Sequence, residues 1–81
     1  MVVDDEPLVV SSVRMILDCV TRSIKDFKLD ERIDTAFEGE HAIKVLQETY
    51  QKGGSYCLII MDCQMPKLDG YMTTQIIRKY I

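Results

Sequence analysis

Three aspartates in this 81-residue sequence follow directly on apolar runs. Asp4 and Asp5 come after residues 1–3, and Asp62 comes after the five apolar residues 57–61. An apolar run that ends in a carboxylate is typical of a buried strand that carries a polar group to the edge of a sheet. Either acidic cluster alone is explained as well by a helix cap or a solvated turn, but the two together favour one shared site.

Carboxylates brought together in one crevice repel each other. At about 4 Å and an effective dielectric constant near 20, each pair costs roughly 4 kcal/mol. A divalent cation removes this repulsion, and because the expected ligands are hard oxygens, the residues favour Mg²⁺. A carboxylate can also attack phosphorus to give an aspartyl phosphate, so we expect Asp4, Asp5 and Asp62 to form a Mg²⁺-dependent phosphoryl site.

Strands and helices alternate along the pattern of apolar residues. Strands are predicted at residues 1–3, 32–37 and 57–61, the last of them covered on both faces. Helices are predicted from Pro7 to an end between residues 21 and 28, around residues 42–50, and over residues 71–81. The first helix carries apolar residues at spacings of three and four, at Val9, Val13, Ile16, Leu17, Val20, Ile24 and Phe27. Residues 23–32 are either an extension of this helix or a loop.

Alternation of strands and helices predicts a parallel sheet with right-handed crossover connections. Ligands of such sheets bind beyond the carboxyl ends of the strands, where the strand order reverses. If the first strand lies between the other two, Asp4, Asp5 and Asp62 share one crevice.

The composition narrows the class of protein. The net charge of −3 gives no basic surface for nucleic acid. The three cysteines are an odd number with no Cys-x-x-Cys, which predicts reduced thiols and a cytoplasmic protein. No apolar run approaches the roughly 18 residues that span a bilayer, so we expect a soluble segment without membrane contact, although a longer parent chain could be anchored.

These features resemble the receiver domain of two-component response regulators and hybrid histidine kinases. The matching stretches are VVDDEP at 2–7, AFEGEHAIKVL at 36–46 and LIIMDCQMPKLDGY at 58–71. The last is the most specific, since it combines a strand, the Asp, Met-Pro and Asp-Gly at fixed spacing. The resemblance implies a flavodoxin-like, three-layer α/β/α doubly wound parallel sheet with strand order 2-1-3-4-5.

The resemblance also implies roles for individual residues. Asp62 would accept a phosphoryl group from a phosphohistidine on a histidine kinase or a histidine phosphotransfer protein. Asp5 and Asp62 would bind Mg²⁺ directly, Asp4 would act mainly through a water, and the backbone carbonyl of Gln64 would complete the protein ligands. Such a module is a substrate and a switch more than an enzyme.

The loop after Asp62 would shape the phosphate site through Met65, Pro66 and Gly70. Gly70 is alternatively a turn glycine ahead of the third helix. Cys63, next to the proposed phosphoacceptor, is interpreted as a passive side chain, and His41 as an ordinary surface histidine.

The chain departs from the family in its number of strands. A receiver has five, and residues 1–81 supply three, so we expect a single partial receiver domain of three βα units with strands four and five missing. The family's Ser or Thr after strand four and its Lys after strand five are then missing as well. Thr73, Thr74 and Lys79 cannot replace them, because they fall in the predicted third helix. We expect the third strand to be an exposed edge and phosphorylation to be slow.

Two other functions are compatible with parts of the pattern. One is a Mg²⁺-dependent phosphatase with an Asp nucleophile, which usually carries Asp-x-Asp where this chain has Asp62-Cys63-Gln64. The other is a degenerate pseudo-receiver that acts as a binding module.

Overall fold

Three strands and three helices alternate in the computed structural model, which describes residues 1–25, 27–29 and 33–80. They are β1 (Val2–Val3), α1 (Pro7–Thr21), β2 (Thr35–Ala36), α2 (Gly39–Gln51), β3 (Ile60–Met61) and α3 (Gly70–Ile77). The predicted order of elements is confirmed. Residues 26, 30–32 and 81 lie outside the described residues, and with them parts of the undecided segment 23–32 and the start of the predicted strand 32–37. The third helix ends at Ile77, and Lys79 lies in a turn beyond it, so the prediction of a helix over residues 71–81 that includes Lys79 was wrong at its end.

The sheet is parallel and has the order β2-β1-β3. Val2 is opposite Thr35 on one side and Ile60 on the other, so β1 is the central strand. The first connection leads from the centre to one edge and the second leads back across the centre to the other edge. Right-handed crossovers then place α1 on one face and α2 on the opposite face. This is the predicted three-layer, doubly wound arrangement.

The main core fills the space between the sheet and the helices α2 and α3, which pack against each other. Its buried residues are Met1, Val3, Ala36, Ala42, Leu46, Met65 and Ile77. Leu46 and Ala42 come from the inner face of α2 and Ile77 from α3, at the spacing expected for helices with one apolar face.

The third strand is shorter and more exposed than the apolar run 57–61 predicts. Only Ile60 and Met61 pair with β1. Met61 and Ile59 pack toward the core, whereas Leu58 is 61% exposed and Ile60 37% exposed. The prediction that the third strand is covered on both faces was therefore wrong. Alternate residues of a strand point to opposite faces. Ile59 and Met61 face the core, whereas on the face of Leu58 and Ile60 the helix α1 packs on the central strand β1. The expectation that β3 is an edge strand is confirmed.

Helix α1 begins at Pro7 and ends at Thr21, within the predicted range. Its predicted apolar stripe is mostly uncovered: Val13 and Leu17 are half-buried and Val20 is 66% exposed, while the buried residue of the helix is Val10, which the predicted stripe did not include. The helix packs on β1, and Ile16 also remains 62% exposed.

Candidate functional site

The structure brings Asp4, Asp5 and Asp62 together at the carboxyl ends of β1 and β3. Each offers a carboxylate oxygen, and these oxygens all lie within 4.8 Å of one another. Asp4 and Asp62 are half-buried and Asp5 is exposed. The juxtaposition follows from the sheet, because adjacent parallel strands end at the same edge.

Backbone pairing fixes both sides of this group of acids, called the acid cluster below. The Asp62 amide donates to the Val3 carbonyl at 2.9 Å, which ties the start of the β3–α3 loop to the central strand. The Asp4 amide donates to the Ala36 carbonyl at 3.1 Å on the other side. Asp4 is therefore tied to β2 and Asp62 to β1, so backbone pairing within the sheet holds the two ends of the acid cluster in place.

Two of the carboxylates also bond to their own loops. The Glu6 amide donates to Asp4 Oδ1 at 2.9 Å, and the Gln64 amide donates to Asp62 Oδ1 at 3.2 Å. Each is a turn in which an Asp side chain accepts from the amide two residues later. Each hydrogen bond holds one oxygen of the carboxylate and so also orients the second oxygen of the same group.

The donor set of the acid cluster fits a small hard cation. Opposite ligands of Mg²⁺ are about 4.2 Å apart, since each Mg–O bond is about 2.1 Å. Three ligands cannot all be opposite, and adjacent ligands are about 3.0 Å apart. Oxygens within 4.8 Å of one another therefore need to move by on the order of 1 Å each to share such an ion. Three carboxylates with partial exposure also leave room for water ligands, which Mg²⁺ retains.

The loop from Cys63 to Asp69 is closed by backbone contacts. The Gly70 amide donates to the Cys63 carbonyl at 3.1 Å, and the Leu68 amide donates to the Pro66 carbonyl at 2.8 Å. Lys67 between them has φ of +67°, the left-handed region that a non-glycine residue adopts at a cost. The result is a compact turn beside Asp62.

Met65 and Pro66 have different environments in this loop. Met65 is buried and belongs to the main core, so it anchors the loop to the domain, while Pro66 is exposed. Gln64 is also exposed and contributes its amide to Asp62. The predicted roles of Gln64, Met65 and Pro66 toward a metal or a phosphate remain predictions.

Gly70 is the first residue of α3 and comes very close to the backbone of Asp62. A Cβ at this position would be 2.1 Å from the Asp62 carbonyl oxygen and 2.9 Å from Cys63 Cα. The helix cap is instead Asp69, whose Oδ1 accepts from the Met72 amide at 2.8 Å. Glycine is thus needed at position 70 for space beside the proposed phosphoacceptor.

A second close approach, which the sequence did not predict, lies behind the first. Thr73 is fully buried, and its Oγ1 would be 2.2 Å from a Cβ at Gly39, the first residue of α2. Sequence spacing placed Thr73 in a helix without indicating this contact. The one available signal was a glycine at the start of α2, where no turn requires it.

Other residues considered from the sequence lie at the surface. His41 is exposed in the first turn of α2, and Tyr71 and Tyr80 are exposed as well. A hydrogen bond to Cys63 raises the pKa of the Tyr71 hydroxyl. The three cysteines are exposed and unbridged. Among the described residues, no helix is long and apolar enough to cross a membrane.

Comparisons with known proteins give a consistent result. A sequence model of the family described as "Response regulator receiver domain" matches residues 1–81. The osmosensing histidine protein kinase SLN1 of Saccharomyces cerevisiae is 43% identical over 49 residues, which cover 60% of this chain and 4% of that protein. Histidine kinase 1 of Arabidopsis thaliana is 54% identical over 46 residues, which cover 54% of this chain and 4% of that protein.

A third relative aligns with nearly the whole chain. The probable transcriptional regulator ycf27 of Pyropia yezoensis is 37% identical over 79 residues, 98% of this chain and 27% of that protein. The chain therefore spans only a small part of the length of these relatives. No solved structure matches it with comparable significance.

Proposed function

The chain belongs to the response regulator receiver domain family of two-component signalling, and from this premise we propose that Asp62 accepts a phosphoryl group from a protein phosphohistidine. The observation that supports this most directly is the acid cluster, in which oxygens of Asp4, Asp5 and Asp62 lie within 4.8 Å. An aspartate held by its own loop, half-buried and open on one side, is suited to nucleophilic attack on phosphorus.

The transfer exchanges one bond to phosphorus for another. An oxygen of Asp62 forms a P–O bond while the P–N bond to the donor histidine breaks, and the released imidazole nitrogen takes up a proton from water. The Gln64 amide donates to Oδ1 and orients the carboxylate, and the other oxygen is the proposed nucleophile. Most of the rate enhancement then comes from positioning.

Mg²⁺ is the proposed cofactor, held by Asp4, Asp5 and Asp62 with the backbone carbonyl of Gln64 as an additional ligand. When bound, the ion supplies positive charge that offsets the carboxylates and the phosphoryl oxygens. The loop residues Met65, Pro66 and Gly70 are proposed to shape the phosphate side of the site.

The proposed donor is a histidine kinase or a histidine phosphotransfer protein. Two relatives are named as histidine kinases, which supports a receiver of that kind of parent protein. Three exposed, unbridged thiols fit a reducing compartment, and we propose a cytoplasmic location. That residues 1–81 are the first three βα units of a longer receiver stays a prediction.

A titration with Mg²⁺ and beryllofluoride, followed by amide NMR signals, tests the phosphoacceptor. Beryllofluoride mimics a phosphoryl group on a carboxylate, so we expect Mg²⁺-dependent shifts at Asp62 and Gln64 in the wild type. Asp62→Asn should abolish the beryllofluoride response. Asp69→Asn is the matched control, because it removes the same charge but keeps a residue that caps helices well.

A persisting response in Asp62→Asn would overturn the assignment, as would a wild-type protein that stays folded and shows no shifts. Incubation with Mg²⁺ and acetyl phosphate gives an independent readout by intact mass. One added phosphoryl group in the wild type and none in Asp62→Asn is the expected result. Turnover of acetyl phosphate without a covalent adduct would instead favour a phosphatase.

A further inference from the structure

Helix α3 is in contact with the backbone of Asp62 at its first residue. The Cα of Gly70 is so close to the Asp62 carbonyl that a Cβ would be 2.1 Å from the oxygen. The Gly70 amide also donates to the Cys63 carbonyl at 3.1 Å. Because these are backbone atoms on both sides, a displacement of the start of α3 moves Asp62 with it.

One helical turn later, α3 is in contact with α2. Thr73 is 0% exposed, and both its amide and its Oγ1 donate to the Asp69 carbonyl, at 2.9 and 2.7 Å. These bonds hold the side chain against the first turn of its own helix. Its Oγ1 then fills the space beside Gly39, where a Cβ would be 2.2 Å away.

Gly39 belongs to the other side of the acid cluster. It follows β2 by three residues, and the last residue of β2, Ala36, accepts a hydrogen bond from the Asp4 amide at 3.1 Å. A closed path of contacts therefore runs from Asp4 to β2, from Gly39 to Thr73, and from α3 back to Asp62. The two sides of the cluster are connected through the sheet and, independently, through this contact.

We propose that Gly39 and Thr73 are positioning residues that set the distance of Asp62 from Asp4 and Asp5. This inference rests on the proposed function, because it assigns the contact a role in the Mg²⁺ site of the phosphoacceptor. Neither residue touches the ion or the reacting atoms. Their contact determines where α3 begins, and Gly70 passes that position on to the Asp62 backbone.

The test is a pair of single variants and their combination. Gly39→Ala adds a methyl group into Thr73, and Thr73→Ala removes the group that fills the gap. Each should weaken Mg²⁺ binding roughly tenfold, the lower end of the effect of residues that orient metal ligands. In Gly39→Ala/Thr73→Ala the added methyl group takes up the vacated space, so Mg²⁺ affinity should recover most of the loss. Recovery should be incomplete, because the new Cβ would still be 2.9 Å from the Leu68 carbonyl oxygen.

A matched control is available at the other end of α2. A Cβ on Gly54 would meet Thr49 Cγ2 at 2.9 Å, so Gly54→Ala crowds the same helix away from the acids. It should lower the thermal midpoint without changing Mg²⁺ affinity. Hydrogen exchange of the Asp62 amide is a second readout that needs no metal, and we expect it to be faster in both single variants.

The outcomes separate this inference from the proposed function. A wild-type response to Mg²⁺ that depends on Asp62, together with unchanged affinity and exchange in folded Thr73→Ala, overturns the positioning role alone. Recovery of Mg²⁺ affinity in the double variant supports it when Gly54→Ala leaves that affinity unchanged, because contacting residues couple and the control shows that added bulk alone does not alter the Mg²⁺ site. If Gly39→Ala does not fold, Thr73→Ala and the double variant decide the question. A wild type without an Asp62-dependent response overturns both proposals.

Discussion

Replacing Gly70 by alanine should displace the proposed phosphoacceptor. The added Cβ would start 2.1 Å from the Asp62 carbonyl oxygen, and real Cβ contacts are not found below 3.0 Å. The two backbones must therefore separate by about 0.9 Å, since an extra carbon in a packed site forces the backbone to shift. A binding constellation tolerates about 0.5 Å, so the displacement is large enough to disrupt the acid cluster.

The variant should lose about 1–3 kcal/mol in the free energy of unfolding, the usual cost of overpacking. Mg²⁺ affinity should fall at least roughly tenfold. Amide NMR titrations, run at a temperature at which circular dichroism shows both proteins folded, measure the affinity. Gly54→Ala serves as the control for added bulk elsewhere. A folded Gly70→Ala protein with wild-type Mg²⁺ affinity and an unshifted Asp62 amide would refute the reasoning.

Four further variants test the core, a polar contact and the loop. Leu46→Ala should lower the free energy of unfolding, measured in urea, by about 2–5 kcal/mol because the side chain is fully buried. Leu58→Ala, at an exposed position, should lower it much less, and equal losses would contradict the packing described. Burial and the hydrogen bond to Asp34 raise the pKa of Tyr56 in the folded state. The contribution of its neutral hydroxyl to stability is therefore complete below pH 10 and is lost as the pH rises through the higher folded-state pKa. The difference in thermal midpoint between wild type and Tyr56→Phe should shrink over that range, and a constant difference would contradict this prediction. Lys67→Gly should raise the free energy of unfolding by up to about 1 kcal/mol, because glycine adopts the left-handed backbone at position 67 without steric cost. A loss of stability in urea would show that contacts of the Lys67 side chain outweigh this gain.

The order of elements could be predicted because apolar spacing reports which residues are buried. Pro7 and the spacing of α1 gave its start and the range of its end, and the alternation gave the parallel sheet. Burial is not the same as pairing, however. Residues 57–59 are apolar and yet outside β3, whose ladder has two residues on each strand. Strand bounds depend on backbone geometry, which side-chain type does not record.

The acid cluster was predictable for a topological reason. Once β1 is central, residues that follow β1 and β3 must meet at one edge, whatever the length of chain between them. The contact between Gly39 and Thr73 was not, because it depends on how closely α2 approaches α3. That distance is set by side-chain volumes on both helices together, and neither segment specifies it alone.

The glycines illustrate where this limit lies. Gly53 has φ of +84° with nothing within 4 Å of its missing Cβ, so it is needed for backbone conformation. Gly70 and Gly39 have crowded positions instead, each needed for the approach of another segment. The sequence shows the same letter in all three places. The neighbours of each glycine in the fold determine whether its substitution strains a turn, as at Gly53, or displaces Asp62, as at Gly70.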